Sequence, residues 1–332
     1  MKKLKGVMAV GLTLCLTAGI FFIAGCEKKD SNLTKVRLNE VAHSIFYAPQ
    51  YVAMELGYFE EEGIDLEVTT GFGADKVTTA LISGDADIGF MGPEATIYLY
   101  NEGSEDYAVN FAQLTQRAGN FVVSRKKQDN FKWEELKGKE IIGGRPGGMP
   151  EMVFEYVLKK HGIDPKTDVN LVQNIDFANT SGAFVGGTGE YTVEFEPSAT
   201  LIEEQGAGYV VASVGTESGY VPYTAYCAKK SYLDSHKELL TAFTRAIEKG
   251  QKYVKEHTPA EIAKIIAPQF KDTDEKTIEK IVKRYAEQDS YKETTYFEED
   301  SFTLIQDILE EAGELEKRVE YNELVTTEFS TK

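Results

Sequence analysis

A repeated change of hydrophobic period constrains this chain more than any other feature. Short apolar or alternating runs read as strands at residues 36–41, 64–69, 88–91, 107–114 and 121–124. Between them, residues 44–56, 75–83 and 94–102 carry apolar positions at helical spacing, with Gly57 and Gly84 closing two of the patterns. A strand, a helix and a further strand in sequence call for a crossover connection, so the alternation predicts an α/β fold with mostly parallel sheets. The pattern then repeats. Strands are expected at 140–144, 169–172, 191–195, 208–213 and 223–229, and helices at 150–161 and 198–204. From residue 231 onward the spacing is helical, at 239–254, 259–267, 275–287 and 302–312. Two lobes follow: residues 35–126 with 224–332, and residues 127–223. The chain would cross between them near 124–130 and near 219–226, a double-strand hinge.

The N-terminus addresses the chain to the cell envelope. Lys2, Lys3 and Lys5 precede an apolar stretch over residues 6–25 that ends in Ile23-Ala24-Gly25-Cys26. A basic start, an apolar core and small residues before a cut describe a secretory signal over 1–25. The terminal Cys resembles the bacterial lipobox, which implies lipidation of Cys26 and a polar tether over 26–34. About 20 apolar residues could also span a bilayer uncleaved. The position of Cys26 and the polar segment after it favour a lipoprotein, exported and held on the outer face of the cytoplasmic membrane.

Composition narrows the functions. Of three cysteines, Cys15 falls in the leader and Cys26 at the lipidation position, so only Cys227 remains as a free thiol and no internal disulfide framework or Cys-built metal site is expected. Cys227 sits in an apolar-rich run and reads as a buried thiol. The net charge of −18 would become more negative once a leader with three lysines and no acids is removed. That argues against nucleic acid and against docking of the body on anionic lipid. No cofactor motif appears: the Gly-rich turn at 143–148 is neither a dinucleotide fingerprint nor a Walker loop. A monomer is expected.

Four stretches carry a family resemblance: HSIFYAPQ at 43–50, ELGYFEEEGIDL at 55–66, ALISGDADIG at 80–89 and LKGK at 136–139. Together they resemble the periplasmic-binding-protein-like family that serves nitrate, sulfonate, taurine and thiamine-pyrimidine-precursor importers, over about residues 35–260. The resemblance implies a two-lobed type II fold with C-terminal helices, a small ligand between the lobes, and ABC permease and ATPase partners.

Ligands of open α/β sheets bind beyond the carboxyl ends of strands. That rule nominates His43, Phe46 and Tyr47 after the first strand, Gly73 after the second, and Met91, Gly92 and Glu94 after the third. In the other lobe it nominates Arg145, Gly148 and Met149, and Tyr223 falls at the second crossing. The turn at 143–148 reads equally as an anion nest or a tight turn. Glu194 and Glu196 share one side of an extended strand ended by Pro197. They are either solvated edge acids or, as the resemblance implies, the source of a carboxylate that grips the N–H groups of an aminopyrimidine. The expected function is therefore capture of a small planar nitrogen heterocycle. The alternative is an alkanesulfonate, taurine or nitrate held by Arg145 and the helix starts. An enzyme is disfavoured: the resemblance implies that pyrimidine-synthesising relatives need a Cys-rich motif absent here, and no G-x-S-x-G elbow occurs.

Overall fold

Ten strands sort into two five-stranded sheets in the computed structural model, which describes residues 33–331. The leader, Cys26 and most of the tether lie outside the described residues. The strands are β1 (Thr34–Glu40), β2 (Ile64–Thr70), β3 (Ile88–Met91), β4 (Ala108–Thr115), β5 (Asn120–Ser124), β6 (Glu140–Ile142), β7 (Asn170–Val172), β8 (Tyr191–Phe195), β9 (Tyr209–Ser213) and β10 (Thr224–Lys229). The first sheet has the order β2-β1-β3-β10-β4 and the second β7-β6-β8-β5-β9. The expected α/β class holds. In each sheet one strand runs against the other four, β10 in the first and β5 in the second. In both cases it is the strand laid down directly after the chain crosses over.

The first crossing is displaced from its expected place. β5 pairs with β8 and β9, not with β4, so the chain leaves the first sheet between residues 115 and 120. The expected boundary at 126 put this strand in the first lobe. Two apolar runs separated by four residues carry no local mark of a change of sheet, and only pairing decides it. The return lies between β9 and β10, over residues 214–223.

Three short helices went unforeseen, at Tyr58–Glu61, Thr180–Val185 and Val214–Ser218, and two more, Lys230–Ser235 and Tyr321–Leu324, lie in the stretch read only as generally helical. Each is too brief to show a helical period. The longest helix among the described residues, Lys237–Glu256, buries Leu240, Phe243, Ile247 and Val254 and packs on helix Ala48–Glu55. Gly250 permits that approach: a Cβ there would stand 2.1 Å from the Pro49 carbonyl oxygen. Helix Glu275–Glu287 ties the two parts of the chain together. Its Arg284 pairs with Glu196 and Glu203, and its Tyr285 hydroxyl donates to the Gly119 carbonyl. The C-terminal helices therefore serve both sheets. No helix among the described residues is long and apolar enough to cross a membrane. Cys227 is buried, and burial pushes its thiol up to about 12.

Candidate ligand site between the two sheets

β1 and β3 end side by side, so the segments that follow them start from one edge of the first sheet. After β1, Ser44 caps a single 3-10 turn over Ile45–Tyr47 by accepting from the Phe46 N–H, and its hydroxyl donates to the Glu196 carbonyl at 2.9 Å. That bond joins the first sheet to the end of β8. The turn aims Phe46 and Tyr47 into an aromatic cluster. Phe46 lies 5.8 Å from Tyr223, 6.2 Å from Phe195 and 4.9 Å from Tyr285, and Tyr47 packs edge-on against Phe90 at 4.5 Å. Phe195 from β8 meets Tyr223 at 6.0 Å and the half-exposed Phe177 at 5.6 Å.

β3 is buried throughout and runs through Gly92-Pro93 into helix Glu94–Asn101. The Glu94 carboxyl curls back over Gly92, where a Cβ would stand 2.0 Å from Oε2. Glu94 is buried, and its Oε2 has no hydrogen-bond partner. Burial raises its pKa to about 7, against the pull of its own backbone N–H, of Arg145 and of the Met149 and Ala95 amides. Burial also holds Tyr47 and Tyr223 above the usual phenol range, and Glu94 adds to both shifts. The Tyr223 hydroxyl is buried without a partner.

The second sheet contributes Asn120 at the start of β5, opposite Phe195. Its Nδ2 donates to the Pro150 carbonyl at 3.3 Å, while its buried Oδ1 has no partner. Pro150 belongs to helix Met149–Lys160, capped by Gly148 in extended conformation. Two further contacts join segments of the two sheets: Tyr98 donates to the Gly147 carbonyl at 3.3 Å, and Arg145 stands 3.7 Å from Asp75.

The expected site residues therefore divide. Phe46, Tyr47, Gly92, Glu94, Met149 and Tyr223 come together. Gly148 borders them, and Arg145 reaches them only by its charge, since its side chain is largely exposed. Met91 points the other way, into a small core cluster with Val77 and Leu81, and Gly73 caps helix Ala74–Ser83. His43 is committed to structure: Nδ1 meets Glu40 at 2.9 Å, Nε2 meets the Gln269 carbonyl at 2.9 Å, and the ring stacks on Phe270. The Glu40 hydrogen bond is the largest cause that raises its pKa.

Neither acid of the β8 pair offers a free acceptor. Glu194 accepts from Thr192 at 2.7 Å and Thr180 at 3.2 Å, and burial raises it to about 7. Glu196 is taken by Arg284 at 2.5 Å and by the Thr200 N–H and hydroxyl at 2.8 and 3.0 Å. Neither acid is therefore a solvated edge residue, and the oxygens of both are already engaged within the protein. A cation from residue 284, far along the chain, consumes Glu196. Asn120 and Phe195 escaped the sequence reading because neither carries a motif. Among the described residues no group of three or more His, Cys, Asp or Glu is placed to share a metal ion.

This arrangement can be set beside known proteins. A family model described as "NMT1/THI5 like" matches residues 45–262. The chain belongs to this family. A Bacillus subtilis (strain 168) protein, YtlA, which bears the provisional name of a binding protein, is 48% identical over 313 residues, 94% of this chain and 93% of its own length. Also similar is a 4-amino-5-hydroxymethyl-2-methylpyrimidine phosphate synthase of Aspergillus parasiticus, 26% identical over 222 residues, 63% of each protein. Among solved structures, the alkanesulfonate-binding protein SsuA of Xanthomonas axonopodis pv. citri, bound to MOPS, superposes with a TM-score of 0.71 at 15% identity, covering 88% of this chain and 98% of that one. At that identity the likeness speaks for the fold: two mixed sheets in the periplasmic-binding-protein arrangement.

Proposed function

We propose that this member of the NMT1/THI5-like family is the extracytoplasmic solute-binding component of an ABC-type importer and captures a small planar nitrogen heterocycle between its sheets. One observation carries the reading. An aromatic-walled site holds three buried polar atoms without partners: Glu94 Oε2, Asn120 Oδ1 and the Tyr223 hydroxyl. The Asn120 amide is oriented by Pro150, whose carbonyl only accepts, so Oδ1 is left facing away from that bond. Leaving a buried polar atom unpaired costs about 1–3 kcal/mol, so a ligand that donates to these atoms recovers part of that cost on binding. Above about pH 7, where Glu94 is ionised, two of the three atoms only accept. They call for a flat ring edged with N–H groups, with Phe46, Tyr47 and Phe195 as its walls. The carboxylate role first assigned to Glu194 or Glu196 passes to Glu94.

The two sheets act as lobes in this reading, with the crossings at 116–119 and 214–223 as the hinge. Ser44–Glu196, Tyr98–Gly147 and Arg145–Asp75 are contacts that closure makes. The leader would export the chain, lipid on Cys26 would tether it outside the cytoplasm, and the tethered protein would supply ligand to a permease and its ATPase. Binding is favoured over synthesis because the relative that bears a binding protein's name matches nearly the whole chain, at 48% identity, whereas the synthase matches 63% of it at 26%. A second reading, an anionic ligand, draws support from the exposed Arg145 beside the start of helix Met149–Lys160 and from the fold shared with a sulfonate-binding protein.

Thermal unfolding of the purified chain against aminopyrimidines, thiamine, flavins, alkanesulfonates, taurine and nitrate tests the two readings. A ligand at about 100-fold its Kd adds about 2.7 kcal/mol of stability. Stabilisation by an aminopyrimidine, weakened in Tyr223→Phe, is expected. Stabilisation by sulfonates or nitrate alone would replace the heterocycle with an anion.

A further inference from the structure

Where segments of the two sheets meet, two helix starts form a place suited to an anion, and the chain's own Glu94 fills it. Helix N-termini present unpaired N–H groups and a partial positive charge, and they attract anions. Two meet here. One belongs to the helix that Glu94 opens, Glu94–Asn101; the other belongs to Met149–Lys160, which arrives from the second sheet. The backbone N–H groups of Glu94, Met149 and Ala95 all act to stabilise the ionised carboxyl, and the Arg145 charge acts in the same direction. The carboxyl does not extend into solvent, as a first-turn glutamate usually does. It folds back over Gly92, is 4% exposed and leaves Oε2 unpaired.

We propose that Glu94 is a built-in anion that sets the specificity of the site: it excludes ligands presenting a sulfonate, nitrate or carboxylate group and admits ligands presenting N–H donors. The inference rests on the ligand site proposed above. A second negative group placed against the same amides would face the carboxyl in a buried setting, where repulsion is weakly screened. Arg145 does not relieve the conflict, since it is largely exposed and already lies near Asp75. An N–H donor meets no such conflict and satisfies Oε2. Gly92 enables the device, because any side chain there would displace the carboxyl.

Isothermal titration at pH 8, where a carboxyl raised to about 7 is ionised, of the wild type, Glu94→Ala and Glu94→Gln with nitrate, methanesulfonate and an aminopyrimidine tests this. The wild type is expected to take the aminopyrimidine and neither anion. Glu94→Ala is expected to bind at least one anion about tenfold or more tightly than the wild type does, and to lose affinity for the aminopyrimidine. Glu94→Gln keeps the side-chain volume and removes the charge, so it must change in the same direction and guards against a folding defect in the alanine variant. Anion binding to the wild type as tight as to the variants would overturn the inference. So would folded variants that gain no anion affinity. The heterocycle reading fails separately: variants that gain anions while the wild type ignores every aminopyrimidine would keep Glu94 as the excluding group and discard that ligand class.

Discussion

The cost of burying the Glu94 carboxyl can be measured without knowing the ligand. Its pKa rises from 4.5 to about 7 on folding, chiefly by burial. Below pH 4.5 the group is neutral in both folded and unfolded chains and costs nothing. Between 4.5 and 7 the unfolded chain sheds the proton while the folded chain keeps it, so stability falls as pH rises. Above 7 the full penalty stands, and a rise from 4.5 to about 7 corresponds to about 3 kcal/mol. Glu94→Gln removes the titration and keeps the shape. Its amide places an N–H group where an acceptor stood, which can return about 1 kcal/mol of that gain. The variant should therefore lie within about 1 kcal/mol of the wild type near pH 4 and exceed it by about 2–3 kcal/mol at pH 8. Urea unfolding of both chains at pH 4, 6 and 8 supplies the comparison. Glu194 and Glu151 are also raised, to about 7 and about 8, so the wild type alone would report the three together and only the difference isolates Glu94. A difference that stays constant across pH, or a variant weaker than the wild type at pH 8, would refute a buried, ionised and unpaired carboxyl.

Other consequences can be checked alongside. Gly250→Ala should cost about 1–3 kcal/mol or more in urea unfolding, since its Cβ would collide with the Pro49 backbone rather than with a movable side chain. Arg284→Met strands the fully buried Glu196 carboxylate and should destabilise by about 3–5 kcal/mol; adding Glu196→Gln should restore much of the loss, and no recovery in the double variant would rule out the ion pair as the cause. If Cys26 carries lipid, Cys26→Ser should move the exported chain from the membrane fraction to the soluble one, read by fractionation and by the mass of the mature N-terminus.

Long elements with a clear period were legible in the residues. β3, β8 and the helices Ser198–Glu204 and Glu275–Glu287 lie where the spacing put them, because a buried strand or an amphipathic helix writes its period into its own composition. Helices of four to six residues, such as Thr180–Val185 and Tyr321–Leu324, complete too few turns to do so. The strand-end rule also nominated Phe46, Tyr47, Gly92 and Glu94, which share one neighbourhood, since the carboxyl ends of adjacent parallel strands must lie on one edge of a sheet; Tyr223 joins them because it precedes the start of the antiparallel β10.

What composition and spacing determined by themselves was the α/β class and the order of its longer elements, both properties of local period, while the short motifs carried the resemblance to the family. Tertiary structure alone decided that β5 changes sheet, because pairing partners far apart in sequence settle which sheet a strand joins. It alone decided which acid is free. Glu94, Glu194 and Glu196 look alike along the chain, yet Arg284 and Thr200 satisfy one, Thr180 and Thr192 satisfy another, and only Glu94 keeps a buried oxygen with nothing to bond. A carboxylate's role depends on the partners that folding brings within about 3 Å, and those partners come from segments whose distance the sequence does not encode locally.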